Sequence, residues 1–186
     1  MAGSHTTITI DDAQAQAHLN RLGQPGTGDL MPRLGEYLMK SSQRRFSTQI
    51  APDGTPWEKL KARYARRKKY NQDKILTLRG YLRSSIQYQV TGANSVEVGT
   101  NNKYAAIHQH GGIIDQNAQS RRVRFRSVAG RVLFAGKRHK KATERWVSRG
   151  AYQVKIPARP FLGISADDEN EIQGIVMDWV SGQNKA

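Results

Sequence analysis

The sequence predicts an α+β fold: N-terminal helices, a small mainly antiparallel sheet with a basic β-hairpin insertion, and a C-terminal amphipathic helix. Three observations predict it. Apolar residues recur at helical spacing towards both ends of the chain, at Leu30, Leu34 and Leu38 and again at Ile172, Ile175, Val176, Trp179 and Val180. Between them lie short runs that alternate with period 2 and end at glycine or asparagine turns. Helices first, then strands, then a helix is the order of an α+β domain rather than of repeated β-α-β units.

The first element expected is a short helix after Asp11-Asp12, running through Ala13 to Leu22 and stopped by Gly23. Gln24 to Gly28 is a connector. The second helix spans Asp29 to about Gln49, with Leu30, Leu34, Leu38 and Phe46 on its buried stripe. Gly35 inside it costs about 1 kcal/mol relative to Ala. Pro52-Asp53-Gly54 forms a turn, and Pro56 sits where a third helix can begin, with Trp57, Leu60 and Tyr64 on one face. Ile75, Leu76, Leu78 and Leu82 make a further apolar cluster. Ser85–Thr91 and Val96–Thr100 read as two strands of a hairpin, with Ile86, Tyr88 and Val90 on one side.

Tyr104 to Gly112 reads as a short helical or irregular stretch ended by glycines. Arg122-Val-Arg-Phe-Arg126 alternates strictly and pairs with Arg131–Phe134 as a second, very basic hairpin. His139–Arg149 reads as a short helix or an exposed loop, and Tyr152–Ile156 as another strand. Pro157 and Pro160 then force an extended path. Ser165 caps the last helix, and Asp167, Asp168 and Glu169 in its first turn complement the helix dipole. The expected organisation is an arm with a short helix over residues 1–28, a single α+β domain over 29–180 with a basic insertion at 112–152, and a frayed tail at 181–186.

With 186 residues, of which 37% are hydrophobic, the chain supports one ordinary domain with a modest core. Thirty Lys and Arg against fifteen Asp and Glu leave a formal charge of +15. A surface of that sign seeks a polyanion, an acidic protein or an anionic lipid surface. There are no cysteines, which excludes disulfides, thiolate zinc sites and cysteine catalysis. No apolar run has the length of a membrane span. The opening residues lack the basic and apolar regions of a secretory signal. A protein synthesised in the cytoplasm, without membrane contact, is the expectation.

Chemistry-bearing motifs are sparse. His108 and His110 precede Gly111-Gly112, but Asp115 is the only nearby acid, so a metal site lacks its further ligands. A histidine bonding nearby backbone is the plainer reading. No glycine pattern forms a phosphate loop or a dinucleotide fingerprint, and no serine sits in a nucleophile elbow. No cofactor and no enzyme activity are expected. The basic runs carry the stronger signal. Residues 61–69 hold six cations and no acid, and residues 121–149 hold eleven against Glu144 alone. Tyr64, Tyr70, Phe125, Phe134 and Trp146 interleave with them, as on a surface that grips phosphates and stacks bases. A solvated basic face and a dock for an acidic protein account for the same charge. The interface candidates in this region are Arg122, Arg124, Phe125 and Arg126, then Arg131, Lys137, Arg138, Lys140, Lys141 and Trp146. Arg159 and Phe161, stiffened by the flanking prolines, complete the set; Phe161 serves either as a helix staple or as a contact to a neighbour.

Five stretches in order carry a resemblance. They are Pro52-Asp-Gly-Thr-Pro-Trp57; Ile75-Leu76 with Leu78–Leu82 and Ser85-Ile86; Val96–Thr100; Tyr104–Gly111; and Ile156-Pro-Ala-Arg-Pro-Phe-Leu-Gly163. Over about residues 30 to 180 the chain resembles the phage virion morphogenesis proteins, the tail completion proteins of contractile-tailed phages. The resemblance implies a structural, non-catalytic α+β protein at the head-proximal end of the tail. It would cap or terminate the tail tube and help join tail to head, as a ring that is commonly six-fold. Implied partners are further copies of itself, tail tube or sheath proteins, and neck or connector proteins, with packaged DNA as an additional contact. The implied location is the virion tail or neck, reached from the host cytoplasm during assembly. The alternative is a basic nucleic-acid-binding module.

Overall fold

The computed structural model of the protein describes residues 4–9 and 29–183. The chain divides into two compact units, one formed by Met1–Gly111 with Pro157–Ala186 and the other by Gly112–Ile156. The expected helix between Asp11 and Leu22 lies outside the described residues.

The first unit holds strand β1 (Ser4–Thr9), helices α1 (Leu30–Thr48), α2 (Ala62–Arg67) and α3 (Tyr81–Ser84), strands β2 (Gln87–Gly92) and β3 (Ser95–Thr100), and helices α4 (Ala105–His110) and α5 (Ala166–Gln183). The three strands form an antiparallel sheet in the order β1-β3-β2. β1 was not foreseen: an arm with a helix was expected there, and a strand runs beside β3 from Ser4 opposite Thr100 to Thr9 opposite Ser95. Its Thr-Ile alternation favours extended backbone.

α1 is the spine of this unit. Leu30, Met31, Leu34, Leu38 and Phe46 are all buried along it, as the period predicts. The β2–β3 hairpin lies against it at Gly35. A Cβ there would meet the Tyr88 ring and the Val96 side chain at 2.8 Å, so the helix accepts the entropic cost of glycine to let the hairpin approach. Tyr88 and Val90 stand opposite Val98 and Val96 in the ladder. Trp179 of α5 packs with Leu30, Met31, Leu34 and Val96, while Phe46, Trp57, Leu82, Ile86, Phe161 and Leu162 belong to a second cluster. The Trp57 ring meets Phe46 edge-on at 5.6 Å, and Phe161 lies 5.4 Å from the same Phe46 ring.

Two expectations for this unit need correction. Trp57, Leu60 and Tyr64 do not share a helix, because α2 starts only at Ala62. The Trp57 amide is committed to the Gln49 carbonyl at 2.8 Å, beside an Ile50–Pro56 bridge. That holds Trp57 extended and leaves Tyr64 exposed. The segment expected to fray from Ser181 is helical as far as Gln183, and the rest of it lies outside the described residues.

In the second unit, β4 (Gly112–Gln116) pairs antiparallel with β8 (Tyr152–Ile156). A three-stranded antiparallel sheet has β5 (Gln119–Val128) at its centre, flanked by β6 (Arg131–Phe134) and β7 (Thr143–Arg149). The basic hairpin is present as β5–β6. The segment read as a helix or loop at His139–Arg149 is instead mostly β7, in register with β5 from Gln119 opposite Arg149 to Phe125 opposite Thr143. Thr143, Trp146 and Val147 favour a strand once a partner edge exists.

Candidate functional site

The second unit, a 45-residue arm from Gly112 to Ile156, gathers ten of the twelve candidate residues. Arg122, Arg124, Phe125 and Arg126 lie on β5, Arg131 opens β6, and Trp146 lies on β7. Lys137, Arg138, Lys140 and Lys141 occupy the β6–β7 connection. The arm holds twelve Lys and Arg against Asp115 and Glu144, so +10 of the chain's +15 is concentrated here.

No residue of the arm is buried. Phe134 is 74% exposed, Trp146 65% and Val132 61%. A sheet normally hides at least one face, because leaving large apolar side chains in water forfeits about 1.5–3 kcal/mol each. The arm's internal ties are light. Glu144 lies 3.9 Å from Arg122 and 3.8 Å from Arg124, an exposed arrangement that contributes little. Arg124 donates to the carbonyls of Lys137 and His139 at 2.7 and 3.0 Å and holds the connection in place. Arg122 lies over the Trp146 ring, and Arg149 over Tyr152 at 3.7 Å. The sequence reading passed over Arg121 and Arg145 as individual residues, although their alternation with Val123 and Val147 puts them on β5 and β7.

Arg159 and Phe161 lie elsewhere. In the first unit they are 6% and 0% exposed. The Phe161 ring packs in the core beside Phe46, as the staple reading expects. The segment around them is clasped by side chains from three directions. Gln109 of α4 accepts from the Phe161 and Leu162 amides, each at 3.0 Å, and donates to the Leu162 carbonyl at 2.9 Å. The Trp57 indole donates to the Pro160 carbonyl at 2.9 Å. Arg159 donates through Nε to the Glu58 carbonyl at 2.9 Å and through its amide to the His108 carbonyl at 2.7 Å. Extended backbone flanked by prolines has no ladder of its own, so these groups supply its hydrogen bonds. Gly163 follows at φ +140°, and a Cβ there would meet Pro52 at 2.8 Å.

Beneath the segment, Arg45 of α1 and Asp168 of α5 form a buried ion pair at 2.5 Å. Arg45 also donates to the carbonyls of Phe161 and Gly163 at 3.0 and 2.9 Å. Asp168 accepts from Ser41 Oγ at 2.5 Å, Tyr37 Oη at 2.9 Å, and the amide and hydroxyl of Ser165 at 2.9 and 2.7 Å. Ser165 Oγ in turn accepts from the Asp168 amide at 3.2 Å, which completes a capping box at the start of α5. Burial raises the Asp168 carboxyl, but the hydrogen bonds from Ser41, Ser165 and Tyr37 outweigh it and hold the group below the usual carboxylate range. Burial and the same carboxylate push the Tyr37 phenol up to about 12.

His108 and His110 stand two apart on α4, a spacing that does not bring side chains together on a helix. Among the described residues no group of three or more His, Cys, Asp or Glu gathers as a metal site would require. His108 Nδ1 is buried and makes no hydrogen bond, so the expected backbone bond of this ring is absent. Burial, and then the Arg159 charge, lower its pKa. Among the described residues no helix is long and apolar enough to cross a membrane.

Comparison with known proteins follows the same outline. A family model described as the phage virion morphogenesis family matches residues 10–181. The match begins well before residue 30, where the resemblance was expected to start, and runs through the whole arm. The chain is also 27% identical over 182 residues to a protein named "Putative capsid assembly protein G" from Escherichia phage Mu, covering 94% of this chain and 93% of that one. No solved structure matches at a significant level. An α+β core unit and a charged, uncovered arm are thus spanned by one family model, and the chain belongs to the phage virion morphogenesis family, with a structural part in assembling the virion.

Proposed function

We propose that the protein is a tail completion or neck component that caps the tail tube and helps join tail to head. It works as a ring of identical copies, six in number, and contributes contacts rather than catalysis or a cofactor. One observation carries this reading: the arm is folded into strands yet has no buried residue. A sheet that exposes Phe134, Trp146 and Val132 gains most from a neighbour that covers it. Its partners are copies of itself, tail tube or sheath proteins and neck proteins; its place is the virion tail or neck, filled from the host cytoplasm. The name of the Mu relative, which speaks of capsid assembly, is compatible with a position where head and tail meet. The test is complementation of a strain lacking the protein. A chain whose residues 121–149 are replaced by a short flexible linker should keep its core secondary structure and fail to yield head-joined tails. Normal particles from that variant would overturn the proposal.

A second reading, a nucleic-acid-binding module, draws on Arg122, Arg124 and Arg126, spaced two apart along β5 beside Trp146. Salt-dependent retention of a DNA duplex by the purified chain would favour it. A chain that forms a closed oligomer and shows no such retention would exclude it.

A further inference from the structure

The central sheet of the arm has two chemically different faces. Residues opposite one another in an antiparallel ladder share a face. Phe125 stands opposite Phe134, Ser127 opposite Val132, Val123 opposite Arg145, and Arg121 opposite Val147. One face therefore carries an apolar stripe, with the Phe125 and Phe134 rings stacked at 5.3 Å, bordered by Arg121 and Arg145. The reverse face carries Arg122, Arg124 and Arg126 with Arg131 and Trp146, and beside them Glu144, Leu133 and Val128. An apolar centre with arginine at its margin is the composition of a protein–protein contact. A row of arginines is that of a polyanion contact.

A surface of matching chemistry exists on the same chain. Helix α5 has five acids and no Lys or Arg between Ala166 and Gln183, in a chain whose net charge is +15. Asp168 is consumed by the ion pair with Arg45. Asp167, Glu171 and Asp178 are exposed and follow one helical face, with Gly174 between them. Nothing lies within 4 Å of the position a Cβ would take at Gly174, so that face is open. Met177, one turn on from Gly174, is 68% exposed. A flexible thioether suits an aromatic pair, and three carboxylates suit an arginine margin.

We propose that the Phe125–Phe134 face of the arm docks on the outer face of α5 of a second copy of this chain. The proposal rests on the ring reading above and names the contact that would build it. The two surfaces differ, so each copy offers its arm to one neighbour and receives an arm from the other. Such a head-to-tail contact closes into a ring when its rotation allows.

Charge exchange in the full-length chain tests it. One variant carries Arg121→Glu with Arg145→Glu, and the other carries Glu171→Lys with Asp178→Lys. Each alone should weaken association on the order of tenfold or more, because like charges then face each other, with unchanged circular dichroism. Co-expression of the two should restore the oligomer seen by light scattering, since each altered arm then meets an altered α5. The pair Arg122→Glu with Arg126→Glu, on the reverse face, should leave the oligomer intact. The contact is overturned if both first variants assemble like the unaltered chain, or if the reverse-face pair dissolves the oligomer instead. It is overturned equally if the four changes in one chain restore assembly while co-expression does not, which would mean the arm meets its own α5. Loss of DNA retention with an intact oligomer in the Arg121/Arg145 variant would assign the stripe to nucleic acid. An unaltered chain that stays monomeric would instead sink the ring reading itself.

Discussion

Arg45 and Asp168 are 123 residues apart in sequence and meet in a buried ion pair at 2.5 Å. Arg45 comes from the last turn of α1 and Asp168 from the first turn of α5. Between them they bond the Phe161 and Gly163 carbonyls, Tyr37, Ser41 and Ser165. The pair thus fixes three things together: α1, the start of α5, and the proline-flanked segment that leads into it.

Breaking this pair by removing one partner leaves the other charge buried. Asp168→Ala should destabilise by about 3–5 kcal/mol, and Arg45→Met by a comparable amount. The double variant Arg45→Met with Asp168→Leu should lose clearly less than the sum. Urea unfolding of the three variants checks this, and additive losses would show that the two charges are not coupled.

Acid should loosen the fold through the same carboxylate. Its folded pKa lies below the unfolded value, so the stability it contributes is present above the unfolded pKa of about 4 and is lost as pH falls through the folded value. Melting temperature measured from pH 6 down to pH 2 should fall steeply in the acid range. Asp168→Asn should start lower and fall less.

Histidine 108 predicts a second, milder dependence. Burial lowers its folded pKa, so the unfolded chain binds the proton more readily. Its contribution is complete above the unfolded pKa of about 6.5 and declines as pH drops below that towards the folded value. His108→Gln should flatten the melting profile between pH 7 and pH 5. An unchanged slope would mean that the ring is not desolvated in solution.

Gln109 is expected to matter more than its position on a six-residue helix suggests. Gln109→Ala removes three hydrogen bonds to the Phe161–Leu162 backbone and should cost about 1–3 kcal/mol, since buried peptide groups are left unpaired. Hydrogen exchange of the Phe161 and Leu162 amides should accelerate in this variant, with exchange in β3 little changed.

Within the segment itself, Phe161→Ala should cost about 3–5 kcal/mol, the loss expected for a fully buried ring. Arg159→Ala should cost less, on the order of one hydrogen bond to a charged donor, about 1.5–3 kcal/mol. Thermal melting beside complementation of tail assembly separates two roles. Assembly that tracks the melting temperature marks a structural staple, whereas an Arg159→Ala chain that melts normally but fails to assemble marks a contact.

The sequence by itself determined the features that depend on local order. The apolar period places α1 and α5, the turn residues place both hairpins, Ser165 and the acids after it place the start of α5, and the cation count places the arm. Each follows from spacing along a few turns or a few strand residues. Tertiary structure decided the rest. Trp57 left its expected helix because the Gln49 carbonyl captured its amide. β7 became a strand because β5 offered an edge along its whole length, and β1 because β3 did. Arg45 reads as one more surface cation among thirty and Arg159 as an interface candidate, yet both are buried, since carbonyls and a carboxylate distant in sequence converge on them. Local periodicity shows which side of an element avoids water, but which distant group will meet a charge depends on how those sides are brought together.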